Sequence, residues 1–87
     1  MPSDTFVILK VFPEEPGIEK EIETQIRKIN IGKLMDVKFE PMAFGLVAIR
    51  LGVIVPEGQE GLAETLAAEI RTVKGVTEVE IEGMSLL

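Results

Sequence analysis

The chain has 87 residues, room for one domain and not two, and its 46% hydrophobic and 28% charged content is that of a folded globular domain. Nine basic residues against fifteen acidic ones give a net charge of −6, a surface that repels a phosphate backbone and attracts basic protein partners. The absence of cysteine, histidine, tyrosine and tryptophan excludes disulfides and thiolate metal sites and removes the commonest catalytic bases and nucleophiles. No apolar run approaches the ~18–20 residues of a membrane span. The start Met1-Pro-Ser-Asp-Thr5 carries no basic n-region, and with the missing cysteines it points to a cytoplasmic location.

Thr5 to Phe12 is rich in β-branched and aromatic residues and is closed by Pro13, which predicts a strand. Glu14-Glu-Pro-Gly17 is a turn leading into a helix, its acids suited to the positive end of a helix. From Gly17 to Ile29 the apolar residues fall at Ile18, Ile22, Ile26 and Ile29, the stripe of an amphipathic helix, and Asn30-Ile-Gly32 ends it. Lys33 to Glu40 alternates, with Met35, Val37 and Phe39 on one side and Asp36, Lys38 and Glu40 on the other; this is a strand with one wet face. Glu40-Pro-Met-Ala-Phe-Gly45 is a turn, and Leu46 to Val55 is an almost unbroken apolar run with only Arg50 charged, the composition of a central strand. After Pro56-Glu-Gly58, a second helix is expected from Gln59 to Val73 on the stripe Leu62, Leu66, Ile70 and Val73, ending at Lys74-Gly75. Val76 to Gly83 alternates through Val79 and Ile81, and Met84-Ser-Leu-Leu87 ends the chain.

The second half repeats the first. Both helical stripes have the same spacing, and Met35/Val37 correspond to Val79/Ile81 at the same offset. Two β-α-β halves with apolar strands in the centre and alternating strands at the edges predict one domain over 1–87: an α+β, ferredoxin-like βαββαβ sandwich. Its antiparallel sheet has the order 4-1-3-2, with both helices on one face. In straight strands Val7, Leu9, Val11, Val47, Ile49, Leu51, Val53 and Val55 face the helices. Phe6, Ile8, Lys10, Phe12, Leu46, Ala48, Arg50 and Ile54 lie on the open face, which is apolar enough to require either covering loops or a protein partner.

Enzymatic constellations are absent. Glu14/Glu15 sit where a helix start favours acids anyway, and the clusters Glu19/Glu21/Glu23 and Glu78/Glu80/Glu82 read as solvated faces without calcium-loop spacing. Gly58-Gln-Glu-Gly61 lacks the Lys-Ser/Thr of a phosphate loop. No metal or cofactor is expected. Met42-Ala-Phe-Gly-Leu-Val47 echoes the third-strand motif of an RNA-recognition module, with Phe6 as a first-strand partner. Leu46 and Met42, however, replace its second aromatic and its basic residue. Phe44 has two readings, a core filler or an aromatic anchor for a protein partner, and the residues alone leave both open.

Lys10-Val-Phe-Pro-Glu-Glu-Pro16, Glu40-Pro-Met-Ala-Phe-Gly-Leu-Val-Ala48 and Thr72-Val-Lys-Gly-Val-Thr-Glu-Val-Glu80 together resemble the archaeal elongation factor 1-beta family. They also resemble the exchange-factor domain at the carboxyl end of eukaryotic elongation factor 1-beta. The likeness runs along the whole chain, and its middle block is the most specific. It implies a guanine-nucleotide exchange factor, without bond chemistry of its own, acting on the GTPase elongation factor 1-alpha. It further implies that Phe44 docks on the GTPase while Ala43 and Gly45, with Met42, let the partner approach. It also implies that the carboxyl-terminal segment, with Met84, Leu86 and Leu87, is directed at the magnesium and phosphate region of the nucleotide site. The chain departs from the family at that end: no Lys or Arg follows Lys74, and Leu86 stands where the family has a basic residue. A monomer that binds neither nucleic acid nor membrane is expected. The rival reading is a regulatory or dimerisation module of ACT type, self-associating through Phe6, Ile8 and Phe12.

Overall fold

The computed structural model describes residues 4–56 and 61–86. Within them the chain runs β1 (Thr5–Pro13), α1 (Glu19–Arg27), β2 (Lys33–Pro41), a 3-10 turn (Ala43–Gly45), β3 (Val47–Val55), α2 (Leu62–Arg71) and β4 (Val76–Leu86). The strands form one antiparallel sheet in the order β2-β3-β1-β4, which is the expected order read from the other edge. The architecture is the ferredoxin-like α+β fold.

Alternation decides which side is core. Val7, Leu9, Val11 and Pro13 are buried along β1; Val53, Leu51 and Ile49, which pair with the first three, are buried along β3, as is Val55. Ile22 and Ile26 of α1 and Ala63, Leu66, Ala67 and Ile70 of α2 pack on that same side, with Val79 of β4. Each Val, Leu or Ile among them contributes ~1.5–3 kcal/mol on full burial. The centre of the molecule is therefore the two apolar strands under two helical stripes, as the repeat requires.

Four details differ from the expected elements. Both helices are shorter than their apolar stripes: Ile18 and Ile29 flank α1, Leu62 opens α2, Val73 follows it, and all four are half-buried. The expected start of the second helix at Gln59, and most of the Pro56–Gly58 turn, lie outside the described residues. Val47, placed in the core by alternation, is half-buried, while Ala48, on the open side, is fully buried. Met35 does not share a side with Val37 and Phe39: Leu34 pairs with Val53 and Asp36 with Gly52, so Met35 is the extra residue of a bulge. Leu34 takes its place against the core.

The fourth difference bears on function. Met84, Ser85 and Leu86 continue β4 instead of forming a tail. Glu82 is an extra residue between the pairs Leu9–Ile81 and Ile8–Gly83, a bulge that carries the strand past a glycine that would otherwise weaken it. Beyond it, Met84 lies opposite Val7 and Leu86 opposite Thr5.

Candidate partner-docking site

β2 and β3 are joined by a tight loop at one end of the sheet. Pro41 pairs with Val47, the Met42 N–H donates to the Leu46 carbonyl at 2.7 Å, and the Leu46 N–H donates to the Ala43 carbonyl at 3.3 Å. To close so few residues, the chain turns through left-handed backbone at two successive positions, Phe44 (φ 63°, ψ 26°) and Gly45 (φ 76°). Glycine takes that conformation without a steric penalty; a side-chain-bearing residue pays of order 1–2 kcal/mol. Phe44 is the only non-glycine with positive φ among the described residues.

Phe44 is also 94% exposed. Its core reading is therefore wrong. Burying such a ring is worth ~1.5–3 kcal/mol, and this fold forgoes that gain while straining the backbone that presents the ring. Neither feature stabilises the isolated domain. Met42 is half-buried and Ala43 and Gly45 are exposed, so small residues flank the ring. A Cβ on Gly45 would lie 3.7 Å from Pro16 Cγ, which seats the tip against the turn before α1.

The carboxyl-terminal residues do not join this tip. Met84 and Leu86 are 57% and 71% exposed, at the far end of the sheet and on its other edge strand. Leu46 at the tip and Val53 in the row of Met84 are seven residues apart along β3, roughly 23 Å at ~3.3 Å per residue. Leu87 lies outside the described residues. The expected site thus resolves into two apolar projections, Phe44 at one end and Met84 with Leu86 at the other.

Among the described residues, the hollow on the open face is lined by strand residues alone. Three cations of that face stand in one row, Lys38, Arg50 and Lys10 facing one another across three strands, with Glu80 completing the row. Each of these three has an acid beside it. Lys10 Nζ is 3.8 Å from Glu40 Oε1, Arg50 is 3.5 Å from Glu40 Oε2 and 3.4 Å from Glu82 Oε1, and Lys38 Nζ is 3.9 Å from Asp36. Phe6 lies across Gly52, where a Cβ would come within 2.7 Å of Phe6 Cζ. Phe6, Ile8, Phe12 and Ile54 are half-buried. Lys10 Nζ stands 5.5 Å from the centre of the Phe12 ring, and Asp36, Lys38, Glu40 and Arg50 line the same hollow as Phe6 and Ile8. Phe6 pairs with Ile54, near the opposite end from Phe44, so the two rings build no common stacking platform for bases. Among the described residues no three carboxylates converge where a metal ion could sit, and no helix is long and apolar enough to cross a membrane.

Fold and projections together define a ferredoxin-like domain whose distinctive surface groups are apolar rather than titratable. That class includes proteins of many functions. The sequence itself narrows it: the model of the EF-1 guanine nucleotide exchange domain matches residues 6–87, and the chain belongs to that family. Elongation factor 1-beta of Methanospirillum hungatei is 36% identical over 84 residues, spanning 97% of this chain and 98% of that protein. Its counterpart in Staphylothermus marinus is 40% identical over 82 residues, 90% of each. Among solved structures, the ACT domain from the GTP pyrophosphokinase of Chlorobium tepidum superposes with a TM-score of 0.71 at 22% identity, covering 90% of this chain and 85% of that one. The carboxyl-terminal domain of MgtC from Mycobacterium tuberculosis reaches 0.67 at 16% identity, covering 98% and 88%. At such identities these neighbours share the fold alone.

Proposed function

We propose that this protein is a cytoplasmic, monomeric exchange factor that speeds GDP/GTP exchange on elongation factor 1-alpha without making or breaking a covalent bond. Membership of the exchange-domain family supports the activity. The observation that carries the mechanism is Phe44, a strained and 94% exposed aromatic at a rigid hairpin tip. A large ring with few rotamers to freeze, held outward before any partner arrives, meets the requirements of an interface anchor.

Exchange then follows from differential affinity. A factor that binds the nucleotide-free GTPase better than the GDP-bound form lowers the affinity for GDP by the same ratio. Phe44, flanked by Met42, Ala43 and Gly45, supplies attachment at one end. Met84, Leu86 and Leu87 make the second contact at the other, toward the magnesium and phosphate region. Because Leu86 carries no charge, that contact displaces groups by bulk and not by electrostatic competition with magnesium. The negative surface, −6 overall, suits a GTPase that handles tRNA and so carries basic surface.

Release of a fluorescent GDP analogue from purified archaeal elongation factor 1-alpha tests the proposal. The protein at micromolar concentration accelerates release, and Phe44→Ala weakens association by ~2 kcal/mol, about 30-fold in Kd. An unchanged release rate with the wild-type protein would reject the function. Unchanged affinity of Phe44→Ala with exchange intact would reject only the anchor.

A further inference from the structure

On the helix side, a groove of about 760 Å³ opens between α1 and the carboxyl end of α2. Its floor is aliphatic, built from Ile18, Ile22, Ile29 and Val73. Gly75 (φ +97°) closes the floor, because a Cβ there would stand 2.8 Å from Ile18 Cδ1. The rim is acidic: Glu14, Glu15, Glu21 and Glu69 face a single cation, Lys74.

Two features show that this charge is not spent within the fold. None of the four carboxylates is in an ion pair among the described residues; the pairs formed lie on the open face and between Glu23 and Arg27. Glu14 and Glu15 also fall short of the role their position suggested, since α1 begins at Glu19 and its first-turn acids are Glu19 and Glu21. The rim hydroxyls donate internally, Thr24 Oγ1 to the Lys20 carbonyl at 3.0 Å and Thr72 Oγ1 to the Glu69 carbonyl at 2.6 Å. What remains outward is a set of acceptors around an aliphatic floor. Its complement is a group of cationic donors around an apolar side chain.

We propose that this groove docks a basic amphipathic protein segment, with one aliphatic or aromatic residue seated on Ile18, Ile22, Ile29 and Val73 and with Lys or Arg side chains paired to Glu14, Glu15, Glu21 and Glu69. The same carboxylates turn away a nucleic-acid backbone. Pro16, against which the hairpin tip rests, directly follows Glu15 of the rim, so a partner held at Phe44 reaches the groove without leaving the surface. The proposal stands on the groove's own chemistry and does not depend on the exchange activity.

The test is a titration of the 15N-labelled full chain with a synthetic amphipathic helix of Leu and Lys, beside a scrambled peptide of identical composition. Saturable amide shifts centred on Ile18, Ile22, Gln25, Ile29, Val73 and Gly75 are expected with the amphipathic peptide alone. The exposed double substitution Glu21→Gln with Glu69→Gln should weaken that binding at least fivefold while leaving the spectrum dispersed. Raising the salt weakens binding without abolishing it, because the apolar seat persists. Equal response to the scrambled peptide, shifts spread over the whole acidic surface, undiminished binding by the double variant, or comparable shifts with single-stranded RNA at low salt would each overturn it.

Discussion

Phe44 and Leu86 project from opposite ends of one sheet. The first stands beyond the Pro41–Val47 pair, and the second is paired to Thr5; among the described residues they are the most exposed large apolar side chains, at 94% and 71%. The rigid β1 and β3 ladders between them set the span, so a partner touching both must cover the length of the molecule. Groups this far apart with no shared neighbour act independently. The affinity losses of Phe44→Ala and Leu86→Ala for elongation factor 1-alpha should therefore add, within ~0.5 kcal/mol, in the double variant. Calorimetric titration of the four proteins measures this, and strong coupling would mean that the two ends meet one small site.

The strain at the hairpin tip makes a prediction of its own. Phe44→Gly removes a side chain that is 94% exposed and relaxes a left-handed residue, so it should leave the domain as stable or more stable, by up to ~1 kcal/mol. For a domain of this size such a gain raises Tm by about 4–8 °C. A fall in Tm would show that the ring packs within the domain after all.

Leu86→Lys introduces charge at a position that is 71% exposed and still paired in β4. Its effect on stability should stay within the ±0.5 kcal/mol usual for surface positions. If the carboxyl end of β4 approaches the magnesium region, GDP release should become faster in magnesium-containing buffer and the gain should shrink in EDTA. Equal rates for both proteins in both buffers would place Leu86 away from the nucleotide.

Glu40 lies between Lys10 and Arg50, at 3.8 and 3.5 Å, in a sheet face where three cations share one row. Glu40→Gln should cost about 1 kcal/mol, the upper end for surface pairs, because Lys10, Glu40 and Arg50 are half-buried, and the loss should be larger at low than at high salt. Filter binding of single-stranded RNA at low salt checks the functional side. With every cation of the row beside a carboxylate, the wild-type protein should retain none.

The fold was largely legible in the residues because its two halves repeat. The matching stripes of Ile18/Ile22/Ile26/Ile29 and Leu62/Leu66/Ile70/Val73, with an apolar run from Leu46 to Val55, leave one economical arrangement. The bulges at Met35 and Glu82 were not legible, because a bulge is decided by how two strands register and not by either strand alone. For the same reason the last residues read as a tail although they are strand. Exposure of Phe44 was equally hidden: Ala43-Phe-Gly45 permits a buried ring or a presented one, and only the left-handed turn distinguishes them. The separation of Phe44 from Leu86 was implicit in the order 4-1-3-2. In that order the β2–β3 hairpin lies where β1 ends, and β4 finishes where β1 begins.

The central claim is that this protein acts by differential affinity, and the most direct measurement is its dissociation constant for elongation factor 1-alpha in the nucleotide-free and in the GDP-bound form. The account predicts clearly tighter binding to the nucleotide-free form, with GDP affinity lowered by that same factor when the protein is saturating. Equal affinity for the two forms would contradict it, however tight the complex.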